Sequence, residues 1–147
     1  MDDYCEKVAF VYPSRFIDTE GLTDLPSPEL VYEVNEFPNI KSFFVNFGLA
    51  NMKDDVRYSI DINAYFEGKL LTEANVTVGD FIHRNERQSK KGAFMSTLTL
   101  ATPSISLPDS GTYKFVVEIF DGVVSDKNKK LLHSNECYFI VSDEWEF

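Results

Sequence analysis

Apolar residues recur at every second position through most of this chain, and that spacing predicts strands rather than helices. The cleanest run sets Tyr58, Ile60, Ile62, Ala64 and Phe66 against Ser59, Asp61, Asn63 and Tyr65, the pattern of a half-buried strand in an antiparallel sheet. Residues 40–51 read as one strand with Phe43, Val45, Phe47 and Leu49 on one face. Its reverse face, Ser42, Phe44, Asn46 and Gly48, is not fully polar, which fits a surface that is partly covered or dimerised. Further strands are predicted over 94–100, 113–120 and 131–141, the last with Cys137, Phe139 and Val141 on one face. Residues 6–12 form a first strand stopped by Pro13, and 29–34 an edge strand closed by Pro38. A tight hairpin at Glu67-Gly68-Lys69 leads into a strand over 70–78.

Between these runs the chain turns polar. Residues 14–28 hold Gly21, Pro26 and Pro28 with little periodicity, a long connection with a short helical turn near 22–25. Residues 51–55 are a turn, 79–92 a charged loop, and 121–130 the loop of the last hairpin, while Pro103 and Pro108 bracket a short link. Seven to nine strands at these intervals predict one all-β domain over 1–147, an antiparallel sandwich with a short acidic tail at 142–147.

Composition adds to this picture in three ways. The 13 Phe and 7 Tyr suit the inner faces of a two-layer sheet fold. The formal charge of −10 repels nucleic acid and anionic membranes and leaves a basic protein as the complementary partner. The acidic opening Met1-Asp2-Asp3-Tyr4 lacks the basic segment of a secretory signal, and no apolar run reaches membrane-spanning length, so a cytoplasmic location is expected. In that compartment Cys5 and Cys137, near opposite ends of the chain, are expected to be reduced. A disulfide between first and last strands stays open as the alternative.

The step Asp109-Ser110-Gly111-Thr112-Tyr113 into an alternating strand resembles the tyrosine corner of immunoglobulin-like sandwiches. Two hallmarks of the antibody type are missing. Phe115 stands where the second cysteine falls, and the strand over 58–66 has no tryptophan. The chain is similar in layout to single-domain immunoglobulin-like proteins of bacteria or phages. The resemblance implies a fold, an aromatic core in place of the disulfide, and no particular activity.

Chemistry-bearing motifs are sparse. There is no Gly-x-Ser-x-Gly elbow, no glycine-rich phosphate loop, no metal-finger spacing, and only two histidines, His83 and His133. The chain therefore reads as non-enzymatic and free of cofactors. Asp54, Asp55, Asp121 and Asp126 fall on loops expected at one end of a sandwich, a weak calcium candidate opposed by neighbouring lysines. Carbohydrate binding on Tyr65, Tyr138 or Trp145 is the other small-ligand alternative. The leading expectation is a protein–protein interaction module that binds a protein partner or itself, through a sheet edge, the end loops or the tail. An acidic inhibitor of a basic partner is one form of it. Its candidate residues are Phe44 and Phe120 on faces opposite the core, the basic loop Arg84, Arg87, Lys90 and Lys91, and Trp145 and Phe147 in the tail.

Overall fold

A computed structural model describes residues 5–15, 26–53, 56–82, 87–88, 93–122 and 129–145, with only the backbone described for 72–82, 87–88 and 93–94. The described residues form eleven strands and no helix: β1 (Lys7–Arg15), β2 (Val31–Glu33), β3 (Asn39–Lys41), β4 (Phe43–Lys53), β5 (Arg57–Phe66), β6 (Lys69–Ile82), β7 (Arg87–Gln88), β8 (Ala93–Ala101), β9 (Ile105–Leu107), β10 (Gly111–Asp121) and β11 (Lys130–Ser142). None of these residues lies in a helix long and apolar enough to cross a membrane.

Pairing assembles two larger sheets and one small one. The four-stranded sheet runs β1-β4-β8-β7 and the five-stranded sheet β2-β11-β10-β5-β6, while β3 pairs with β9. Every pairing is antiparallel except β2 with β11. The β5–β6 hairpin turns on Glu67 and Gly68, both at positive φ (47° and 84°), the backbone twist a two-residue hairpin requires.

The alternating positions identified in the sequence meet between the sheets. Phe43, Val45, Phe47 and Leu49 of β4 face Tyr113, Phe115, Val117 and Ile119 of β10 in one buried cluster, joined by Ile60, Ile62, Phe139 and Val141. At one end this core is nearly all aromatic. Phe115 stacks on Phe139 with centroids 4.9 Å apart, and Phe43 meets Tyr32, Phe139 and Phe115 at 4.9, 5.1 and 5.7 Å. Offset and edge-on ring pairs of this kind stabilise by more than their buried area alone. The two cysteines form no disulfide; Cys5 is half-buried and Cys137 buried.

Several expectations change. The described strands number eleven rather than seven to nine, β4 runs to Lys53 into the expected 51–55 turn, and the expected 79–92 loop holds the end of β6 and β7. β1 is not stopped by Pro13 but runs to Arg15, because an edge strand tolerates proline. The single strand over 40–51 is two strands, and the link between Pro103 and Pro108 contains β9. One device explains both. Thr102 bonds Phe43 twice, accepting from its N–H at 3.0 Å on the side-chain Oγ1 and donating its own N–H to the Phe43 carbonyl at 2.8 Å. This closes the β4–β8 ladder, and the chain on each side then leaves that sheet to pair as β3 with β9, where Ile105 and Leu107 are buried. The predicted edge strand over 29–34 contains β2, at the edge of the five-stranded sheet. The predicted helical turn near 22–25 lies outside the described residues.

Gly48 shows why the reverse face of β4 is not polar. A bulge in β1 between Val8 and Phe10 brings Phe10 opposite Gly48. A side chain at Gly48 would overlap the Phe10 ring.

Candidate interaction face

The outward positions of the five-stranded sheet are set by register. Val31, Ile140 and Thr112 lie side by side, next to a row of Tyr138, Lys114 and Tyr65, then Glu136, Val116 and Asn63. Apart from Leu70 on β6 and Leu131 at the other end of β11, four apolar side chains on or beside this face are open to solvent: Leu30 (53%), Val31 (53%), Tyr138 (54%) and Ile140 (43%). They gather at the β2–β11 edge, where β2 adds only three residues to the sheet.

Beside this strip the polar groups are held in place. Glu136 accepts from the Tyr138 hydroxyl at 2.9 Å and pairs with the Lys114 ammonium at 3.3 Å, while Lys114 Nζ lies 5.2 Å from the centre of the Tyr65 ring. The Tyr138 hydroxyl, ahead of Lys114, holds the Glu136 carboxyl below its ordinary range. In turn the hydrogen bond to Glu136 raises the Tyr138 phenol. An exposed pair of this kind adds little stability. It does fix the tyrosine's orientation.

The rim of the strip is acidic. Glu33, Asp143 and Glu144 are exposed, and Arg15 is paired with Glu29 at 3.2 Å. Apolar groups at the centre and charge at the margin is the usual build of a protein-binding patch.

Toward the other end of the same face Phe120 is covered by the chain itself. Lys129 Nζ sits 4.3 Å above the Phe120 ring and 3.6 Å from Asp61 Oδ2, and Ser59 beneath is fully buried. The four-stranded sheet has its own outward hollow, about 290 Å³, floored by Gly48 and Ala50 and walled by Phe10 and Met95.

Among the residues singled out in the sequence, Phe44 and Phe120 do project away from the core, and both are half-buried. Trp145 is half-buried with its indole N–H sealed from solvent and without a hydrogen-bond partner among the described residues. Its side chain is turned in against the domain. Asp121 is exposed at the end of β10, opposite Lys130 and Tyr58. Arg87 lies in β7, where only the backbone is described. Asp54, Asp55, Arg84, Lys90, Lys91, Asp126 and Phe147 lie outside the described residues, and within those residues no three acids, histidines or cysteines converge as a metal site. Tyr65 is half-buried beside Lys114, while Tyr138 is open.

Sequence reasoning missed Leu30, Val31 and Ile140. The signal was present, since Ile140 falls on the polar phase of a strand whose other phase is apolar. Whether that phase faces solvent or another layer is decided by the packing of the sheets. Compared with known proteins, the chain matches no protein-family model and no curated sequence.

Proposed function

We propose that this is a non-enzymatic protein–protein interaction module on an immunoglobulin-like sandwich, binding a partner through the β2–β11 edge of its five-stranded sheet. The fold reading is supported by strand order. The run β1-β4-β8-β7 follows the A-B-E-D order of such sandwiches, and β11-β10-β5-β6 follows G-F-C-C′. The Tyr113 hydroxyl donates to the Asp109 carbonyl at 2.7 Å, as a tyrosine corner does. Phe43 and Phe115 meet edge to face on strands equivalent to B and F, which the disulfide joins in antibody domains.

The functional reading rests on one observation: Val31, Ile140 and Tyr138 are contiguous, exposed and apolar on a rigid sheet, with Leu30 beside them and acids around them. Burying an aromatic anchor and its aliphatic neighbours is the usual source of affinity at such patches. The rim favours a partner with a basic margin. A second copy of this chain would bring another formal charge of −10 against the first. That repulsion favours a different protein over self-association.

The test is capture from a lysate of the source organism with three forms of the protein: unmodified, Tyr138→Ala with Ile140→Ser, and Met95→Lys on the opposite sheet. A stoichiometric partner that is kept by Met95→Lys and lost by the double variant supports the reading. A partner that survives the double variant, or the absence of any partner, overturns it.

A further inference from the structure

The first strand is held on two sides by different means. Along one edge β1 makes backbone pairs with β4. Along the other it faces β11 of the opposite sheet, and side chains there take the place of a ladder. His133 Nδ1 accepts from the Val8 N–H at 2.9 Å, and Asn135 Nδ2 donates to the Val8 carbonyl at 3.0 Å. The Asn135 amide is oriented by its own Oδ1, which accepts from the Glu136 N–H at 2.8 Å. Both backbone groups of Val8 are thus satisfied by β11 side chains, next to the bulge that turns them outward.

This arrangement depends on the protonation state of one ring. An Nδ1 that accepts carries no proton, so the imidazole must be neutral with its proton on Nε2. The imidazolium has donors at both nitrogens, and its Nδ1–H would point at the Val8 N–H. The two cannot coexist in this geometry.

We propose that His133 is a proton-operated clamp on β1: the neutral ring holds Lys7 and Val8 against the seam between the sheets, and protonation releases them. The charges around it act in one direction. Burial, and then the Lys7 ammonium on β1, both hold the ring below its ordinary value of 6.5. From β10, the residue opposite His133 is Ile119, which carries no charge, and Glu118 lies on the other face of that strand. Glu6 is turned to Tyr58 and Lys53, Cys137 is a neutral thiol with its pKa pushed up to about 12 by burial, and Asp121 and Lys130 stand exposed at the strand ends. No carboxylate is placed to stabilise the imidazolium among these groups. A folded-state pKa below the unfolded one means stability that is full above about pH 6.5 and falls as the pH drops through the folded value.

The experiment is amide hydrogen exchange by NMR on the intact chain from about pH 7.5 to about pH 5, corrected for intrinsic rates, with the His133 ring titrated in the same samples. A His83→Gln variant assigns the ring resonances. The expected result is a loss of about tenfold in protection at Val8 and Lys7 with the midpoint of the His133 titration, while β5 and β10 amides stay unchanged. His133→Phe should leave Val8 weakly protected at both ends of the range. Val8 protection that stays flat while the ring titrates overturns the clamp, as does a ring that does not titrate in this range. Should His133→Phe fail to fold, the unmodified protein's titration decides alone.

Discussion

β4 and β10 carry nearly the same inward pattern and opposite outward ones. Both place four large apolar side chains into the core, and both are central in their sheets. Behind β4 the middle of the strand is covered. Asn46 is fully buried, donates to Ser14 Oγ at 3.0 Å and the Tyr12 carbonyl at 3.3 Å, and accepts from Thr99 Oγ1 at 2.6 Å, while Phe10 covers Gly48. Behind β10, Lys114, Val116 and Glu118 are only half-buried, and the neighbouring β11 shows Tyr138 and Ile140 to solvent. One strand has its central outward positions covered by its own neighbours, whereas the strip beside the other stays open to solvent.

The comparison breaks most visibly in the shared core. Phe115→Ala removes a ring that touches Phe43 and Phe139 and should cost about 3–5 kcal/mol in denaturant unfolding. Behind β4, Asn46→Leu leaves buried Ser14 and half-buried Thr99 without their partner and should cost about 2 kcal/mol. The matching change behind β10's neighbour, Asn63→Leu on β5, should stay within about 0.5 kcal/mol. Equal costs at the two positions would remove the distinction between a covered and an open face.

Smaller effects sharpen it at the ends of the sheets. Tyr113→Phe deletes the corner bond to Asp109 and should cost about 1 kcal/mol by the same measurement. Glu6 anchors the start of the chain, accepting from the Tyr58 hydroxyl at 2.8 Å and pairing with Lys53 at 3.3 Å. Burial raises its carboxyl, but its own backbone N–H, Tyr58 and Lys53 outweigh that and leave it below 4.5. Since the folded pKa is the lower one, this stabilisation is present above about pH 4.5 and lost as the pH falls through the folded value. Glu6→Gln should therefore cost about 1 kcal/mol at neutral pH and flatten the acid limb of the stability–pH curve. Last, Tyr138→Ala with Ile140→Ser should shift stability by no more than about 0.5 kcal/mol, so that any binding it abolishes reports on the surface.

Much of the fold could be read in the chain because a period of two is a local signal. It needs only neighbours in sequence, and it named the core residues of β4, β5, β10 and β11, the Glu67-Gly68 turn and the Tyr113 corner. The break at Ser42 was not readable in this way, because Thr102, 59 residues from Phe43, makes it. The candidate site was less legible still. Exposed Ile140 and covered Gly48 both sit on the outward phase of a strand, and nothing adjacent to either residue distinguishes them.

The sequence by itself determined that this protein is all-β, which phase of each long strand is apolar, and the turns at Glu67-Gly68 and Asp109-Gly111. Tertiary structure alone decided which outward positions are covered and which are open. It also brought His133 to Val8 across 125 residues. The physical reason is that alternation follows from the geometry of one strand, whereas coverage and hydrogen bonding between sheets depend on what the rest of the chain lays over it.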